Sequence, residues 1–286
     1  MILVTGAGGK TGIAVVEALS KVESVCAFVY RDEQVAIAKS LGAEKVIVGD
    51  MRDVSAIRTS MDTVRSVYHI CPNMSPDEIT IGKLVIGEAR KARVEHFVYH
   101  SVLHPQSEKM KHHWGKLRVE EMIFESGVPF TILQPAPYMQ NLLADWKNIV
   151  KNAVLRIPYS ARADFSFIDL EDLAEAVKVV LTEPNHRNAT YELAGTSPIS
   201  HVEVAKIFSH VLDRDVRVEE EKISNWKLRV KGLSEYALEN LIKMFEYYDQ
   251  WGLVGNPNVL SWLIKKEPTS LESFIERNLN ERNVIH

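Results

Sequence analysis

Cysteine is scarce in this chain: only Cys26 and Cys71 occur among its 286 residues. Both lie in apolar, strand-like runs where a buried reduced thiol is expected, and they provide neither a disulfide framework nor a metal-ligand spacing. Long apolar runs are missing too, since no stretch approaches the ~20 residues a membrane-crossing helix requires. Nor is there an excess of positive charge. Lys and Arg number 34 against 38 Asp and Glu, a formal net charge of −4, with the two signs interspersed from end to end. Without a basic stripe to follow a phosphate backbone, direct nucleic-acid binding is not expected. No internal repeat and no low-complexity segment occurs. The first strand-like run starts at Ile2, so no signal or transit peptide is expected ahead of it. A soluble, cytoplasmic globule, monomeric or homodimeric and able to bury a sizeable core, is the expectation.

What is present is an alternation. Short runs rich in Val, Ile, Phe and Tyr (Ile2–Thr5, Val25–Tyr30, Lys45–Val48, Ser66–Ile70, His96–His100, Pro129–Leu133) have strand length. Between them, Gly12–Lys21, Gln34–Leu41 and Glu78–Lys91 carry apolar residues at three- and four-residue intervals, the mark of an amphipathic helix. This is βαβ repetition, and it predicts an α/β, Rossmann-type, doubly wound parallel sheet with helices on both faces. After Gln134 the pattern changes: Pro135 and Pro137 lead into a predicted helix over Tyr138–Asn152. The strand pattern returns at Phe165–Ile168, with a helix over Leu170–Leu181 and a strand over Thr190–Leu193. Beyond Pro198 the chain reads as mainly helical, with Ser200 capping His201–Leu212 and Ser270 capping Leu271–Asn278. The expected organisation is a dinucleotide-binding domain from 1–135 and 163–197, and a smaller, mainly helical substrate or lid lobe from 136–162 and 198–286. Interleaved lobes predict a cleft at the carboxyl ends of the strands, where open α/β sheets hold their ligands.

The segment Thr5-Gly6-Ala7-Gly8-Gly9-Lys10-Thr11-Gly12 joins the first strand to the first helix and puts glycines at 6, 9 and 12. One glycine serves the tight turn, one the approach of a pyrophosphate to the backbone, and one the packing of helix on strand. The helix end that follows offers unpaired N–H groups and a positive dipole end to a diphosphate. Gly6, Gly8, Gly9, Lys10, Thr11 and Gly12 are therefore candidate dinucleotide contacts. The second strand ends at Phe28-Val29-Tyr30-Arg31-Asp32. An acid at its tip would hold the ribose 2′-hydroxyl of NAD, whereas an arginine just past it pairs with the 2′-phosphate of NADP. Arg31 therefore argues for NADP, and the adjacent Asp32 keeps NAD open. Asp50 and Met51, after the third strand, are candidates for the adenine side. Ile70, Cys71 and Pro72, after the fourth, are candidates to pass beneath the nicotinamide side.

These motifs, with Gly82-Lys83 opening a helix, Phe97-Val98-Tyr99-His100-Ser101, His112-His113-Trp114-Gly115-Lys116 running into Val119-Glu120-Glu121, Gly127-Val128-Pro129-Phe130-Thr131, Tyr138-Met139-Gln140-Asn141 and the segment Phe167–Ala174, resemble the NmrA-like family of atypical short-chain dehydrogenase/reductases. That group includes NADPH-dependent quinone and triphenylmethane-dye reductases. The resemblance implies that Lys83, Lys116, Tyr138, Met139, Gln140 and Asn141 contact the cofactor, Lys116 near the nicotinamide ribose. It also exposes a departure. The wider superfamily relays its proton through a Tyr four residues before a Lys, with a Ser ahead of both; Ser101 and Lys116 are present, but the Tyr position is His112. Ordinary carbonyl reduction by a lysine-lowered phenol is therefore not expected.

Two functions fit these residues. In one, NADPH gives hydride to a conjugated, electron-poor acceptor, quinone-like or dye-like, which needs no strong protein acid. His112 is then a candidate proton donor, and Trp226, Tyr247, Tyr248 and Trp251 offer either an apolar wall for a flat substrate or core packing. In the other, the protein is a non-catalytic sensor that alters a regulated protein partner with the NADPH/NADP ratio.

Overall fold

The structure, a computed structural model, describes residues 1–283. The chain divides into two compact units. The first comprises Met1–Pro135 and Leu173–Tyr191; the second comprises Ala136–Asp172 and the described residues from Glu192 onward. The returning segment of the first unit thus lies inside the 163–197 stretch of the sequence expectation.

In chain order the elements are β1 (Ile2–Val4), α1 (Lys10–Leu19), β2 (Val25–Val29), α2 (Glu33–Ser40), β3 (Lys45–Val48), α3 (Val54–Ser60), β4 (Ser66–His69), α4 (Glu78–Ala92), β5 (His96–His100), α5 (Lys111–Ser126) and β6 (Phe130–Pro135). A 3₁₀ helix (Met139–Asp145), α6 (Trp146–Asn152), β7 (Val154–Ile157), β8 (Asp164–Phe165), α7 (Leu170–Thr182) and β9 (Ala189–Leu193) follow. The remainder holds β10 (Ile199–Ser200), α8 (His201–Leu212), β11 (Arg217–Glu220), α9 (Ile223–Arg229), α10 (Glu235–Trp251), α11 (Asn258–Ile264) and α12 (Leu271–Asn283).

The main sheet has seven strands in the order β3-β2-β1-β4-β5-β6-β9. From β3 to β6 every pairing is parallel, with Ile2 opposite both Val25 and Ser66, and Ser66 opposite His96. Every residue of β1, β2, β4 and β5 is buried, because helices cover both faces of a parallel sheet and leave no polar alternation. The two edge strands, β3 and β9, are partly exposed. Under the sheet, Leu3, Phe28, Val67, Phe97 and Ile132 pack with Ile81, Val85, Val119 and Ile123 of α4 and α5. Cys26 and Cys71 are free, buried thiols. The strand order reverses between β1 and β4, so the carboxyl ends of these two strands form the crevice where an open α/β sheet receives a ligand.

In the second unit Ser200 caps α8 with a full capping box, its side chain accepting from the Glu203 amide. The run Phe165–Ile168 does not rejoin the main sheet: β8 pairs antiparallel with β10, Phe165 opposite Ile199, and the Phe167 carbonyl accepts from the amides of Gly195 and Thr196. A short apolar run carries no information about which sheet it joins. The predicted Tyr138–Asn152 helix is a 3₁₀ turn followed by α6. β11, too polar to read as a strand, pairs in parallel with β7. No helix among the described residues is long and apolar enough to cross a membrane.

Candidate functional site

The glycine turn lies at the carboxyl end of β1 and is tied to β4 by Thr5. Thr5 Oγ1 accepts the Ile70 N–H at 2.9 Å and lies 2.8 Å from His69 Nδ1. Gly6 has φ +60°, and a Cβ there would sit 2.9 Å from the Ile70 carbonyl oxygen, so a side-chain-bearing residue there would be strained on both counts. A Cβ at Gly12 would meet the Gly6 carbonyl oxygen at 2.2 Å and Ala7 Cα at 2.6 Å, both backbone atoms. Gly12 is thus the residue that lets α1 close on the turn. Gly9 is different. Its φ is −89°, and a Cβ would find only the Gly6 oxygen, at 3.4 Å. As N-cap of α1 it brings no side chain to the helix end, whereas Asp53, Ser200 and Ser234 cap α3, α8 and α10 with theirs. The amino end of α1, with Lys10 exposed and Thr11 buried, thus has no side-chain acceptor from its N-cap residue.

Gln34, which the sequence did not single out, links this turn to the end of β2. Its Nε2 donates to the Gly8 carbonyl at 3.2 Å, and its Oε1 accepts the amides of Tyr30 and Arg31 at 3.1 and 3.0 Å. β2 ends at Val29. Asp32 already has helical backbone as the N-cap of α2, while Arg31 is exposed beside Tyr30. Asp50 is held by its own loop: its oxygens accept the Arg52 backbone N–H at 2.8 Å and the Arg52 guanidinium at 2.6–3.1 Å. Those hydrogen bonds keep its carboxyl below the usual carboxylate range. Met51 is buried in the core.

Beyond β4 and β5 the same sheet edge carries a buried polar group. Glu78, first residue of α4, accepts the Tyr99 hydroxyl at 2.7 Å and the Lys116 ammonium at 3.1 Å on the same oxygen, Oε1. Lys116 Nζ also donates to the His100 carbonyl at 3.3 Å and lies 5.4 Å from the centre of the Tyr99 ring. The His69 ring stacks on Tyr99, centroids 5.9 Å apart. Burial pushes the Glu78 carboxyl up, but the Lys116 charge and the Tyr99 hydroxyl outweigh it, and the carboxyl sits below its usual range. Burial, with the Glu78 charge adding to it, pushes the Cys71 thiol up. Ile70 and the exposed Pro72 flank this thiol.

Ser101 is buried and donates to Glu120, whose two oxygens also accept the Gln134 amide at 3.0 Å. His112 lies in α5, four residues before Lys116, its ring 4.5 Å from that of His113. Burial, then the His113 and Lys116 charges, pull His112 down to about 2, so near neutrality it is an uncharged imidazole and not an acid. Gly82 and Lys83 do not open α4, which begins at Glu78. Gly82 packs the helix against Val119, 2.7 Å from where a Cβ would be, and Lys83 is exposed. Tyr138, Met139, Gln140 and Asn141 belong to the second unit. There the Met139 amide donates to the Ile168 carbonyl, the Gln140 amide donates to Asp169 Oδ1 at 2.7 Å, and Asn141 is exposed. Asp169 is fully buried and paired with Arg277 at 2.6 Å. Trp226 and Tyr248 are buried in an aromatic core with Tyr159, Phe165 and Phe245. Tyr247 packs on Trp251, which is half exposed. A cavity of about 630 Å³ lined by Arg65, His96, His186 and Arg187 opens at the amino ends of β4 and β5, on the opposite edge of the sheet.

The family model described as NmrA-like matches residues 1–281. An NAD(P)H azoreductase from Xenophilus azovorans is 31% identical over 221 residues, 76% of each chain. Quinone oxidoreductase 2 from Escherichia coli (strain K12) is 25% identical over 294 residues, 99% of this chain and 100% of the relative. The solved structure of an NADPH-dependent quinone oxidoreductase from Escherichia coli, complexed with NADPH, superposes with a TM-score of 0.86 at 23% identity, covering 98% of this chain and 100% of the other.

Proposed function

This chain belongs to the NmrA-like family, and on that premise we propose that it is an NADPH-dependent reductase of a conjugated, electron-poor small molecule, quinone-like or azo-like. The observation that carries the reading is a juxtaposition at one sheet edge. A helix end without a side-chain cap, held shut by Gly12, is connected through Thr5, His69 and Tyr99 to a half-buried, carboxylate-anchored ammonium at Lys116. The first suits a diphosphate. The second suits the hydroxyls of a ribose or the oxygen of a polarised acceptor.

In this reading the amino end of α1, from Lys10 onward, holds the pyrophosphate, the Gly9 amide being committed to the Gly6 carbonyl at 3.0 Å; Arg31 meets the 2′-phosphate, and Lys116 holds the nicotinamide ribose. When bound, NADPH supplies the hydride. With His112 neutral and Ser101 engaged with Glu120, Lys116 is the charged donor of the Ser101, His112 and Lys116 set, an arrangement suited to acceptors that disperse incoming charge themselves. The names of the azoreductase and quinone oxidoreductase relatives support this substrate class.

Arg31 tests the cofactor. Arg31→Ala is expected to weaken NADPH roughly 10- to 100-fold, the worth of one or two hydrogen bonds to a charged group, and to leave NADH within about twofold. Equal losses for both cofactors in calorimetric titration would remove Arg31 from the 2′-phosphate site.

A further inference from the structure

We propose that Glu78 is the positioning residue of this edge: it fixes the ammonium of Lys116 at the point where the nicotinamide half of the cofactor lies. The proposal rests on the NADPH reading above.

Glu78 starts a 15-residue helix, where the helix dipole favours a carboxylate. It is 8% exposed, and a buried carboxylate persists only when paired. Its partners come from two separate elements, Tyr99 from β5 and Lys116 from α5, and they share one oxygen. A long, flexible side chain held by a carboxylate, a backbone carbonyl and an aromatic face loses most of its rotamers. The Lys116 head is therefore fixed before any ligand arrives. The contacts continue to the glycine turn: Glu78 to Tyr99, Tyr99 stacked on His69, and His69 on Thr5, the residue before Gly6. Where the wider superfamily puts a hydroxyl relay beside the lysine, this chain puts a carboxylate anchor behind it.

A positioning role makes a prediction that a merely structural one does not. Adenosine 2′,5′-bisphosphate reports on the adenine half alone, and NADPH reports on both halves. In full-length Glu78→Gln, NADPH affinity measured by calorimetry is expected to fall about tenfold or more, while the bisphosphate stays within about twofold. Glu78→Asp, which keeps the charge but shortens the reach, falls between. Glu78→Gln leaves an ammonium without its counter-charge and is the variant most exposed to misfolding, so the same comparison is made in a Lys116→Met background, where both charges are absent. There Glu78→Gln is expected to change NADPH affinity less than about twofold. Loss of both ligands in parallel, no loss of either, or an undiminished effect in the Lys116→Met background overturns the proposal and leaves the NADPH reading standing. Wild-type protein that binds neither ligand overturns both.

Discussion

Titrated downward from neutrality, the protein is expected to lose its fold between pH 6.5 and about 4.5, before most of its carboxylates take up protons. The cause is a set of buried imidazoles. Burial is the leading influence at each, and it pulls His69, His96, His113 and His201 down to about 4, His100 to about 3 and His112 to about 2. In the unfolded chain these groups titrate near 6.5. Because the folded values are depressed, the folded state binds fewer protons below pH 6.5. Stability is fully present above that value and falls as the pH drops toward the folded values. Each site contributes a slope of up to about 1.4 kcal/mol per pH unit.

Five of the six, all but His201, lie in the first unit, for a combined slope approaching ~7 kcal/mol per pH unit. A domain stability of about 5–15 kcal/mol is consumed within one to two pH units at that rate. Glu78, whose carboxyl is depressed, stabilises the fold above its unfolded value near 4.5 and loses that contribution only as the pH falls further, so the histidines act first. Far-ultraviolet circular dichroism against pH, with NMR titration of the imidazole protons, measures this. A helical signal unchanged down to pH 4, or imidazoles titrating near 6.5 in folded protein, contradicts it.

The second large effect separates two glycines that look equivalent in sequence. Gly12→Ala is expected to destabilise the protein by about 3 kcal/mol or more, at or beyond the upper end of overpacking costs, because the new Cβ meets backbone atoms at 2.2 and 2.6 Å and no rotamer change relieves them. Gly9→Ala is expected to cost about 1 kcal/mol or less, the difference between Gly and Ala at an N-cap, since its backbone is extended and its nearest neighbour is at 3.4 Å. NADPH binding should nonetheless fall about tenfold or more in Gly9→Ala, because a methyl then stands at the helix end where the diphosphate approaches. Denaturant melts paired with NADPH titration distinguish the two. A Gly12→Ala protein as stable as wild type, or a Gly9→Ala protein that binds NADPH unchanged, contradicts this division of labour.

Which of these features were legible in the sequence follows from how far apart the interacting residues lie. The strands of the main sheet, the glycine turn and the Ser200 cap were legible, because periodicity, helix capping and turn chemistry are local. The partner of Lys116 was not: Glu78 is 38 positions away, and only the parallel arrangement of β4 and β5 brings α4 and α5 together. The same holds for Gln34, 26 positions from the Gly8 carbonyl it ties down, and for Gln140, whose amide is held by Asp169 29 positions on. Asp50 illustrates the converse. A carboxylate at the end of a strand looks available in sequence, but Arg52, two residues later, occupies its oxygens. The position of His112, four residues before Lys116, is plain in the sequence. Its burial, which keeps it neutral, is a property of the folded chain alone.

If this sheet edge brings NADPH to a conjugated acceptor, hydride must pass between them. The most direct measurement follows NADPH absorbance with purified wild-type protein and a panel of quinones, azo dyes and α,β-unsaturated carbonyls, with Lys116→Met and Gly9→Ala run in parallel. NADPH consumption matched by reduced acceptor is expected for at least one quinone or azo compound, strongly diminished in both variants. Tight NADPH binding without turnover of any acceptor would contradict it and favour a redox-sensing role for the same site.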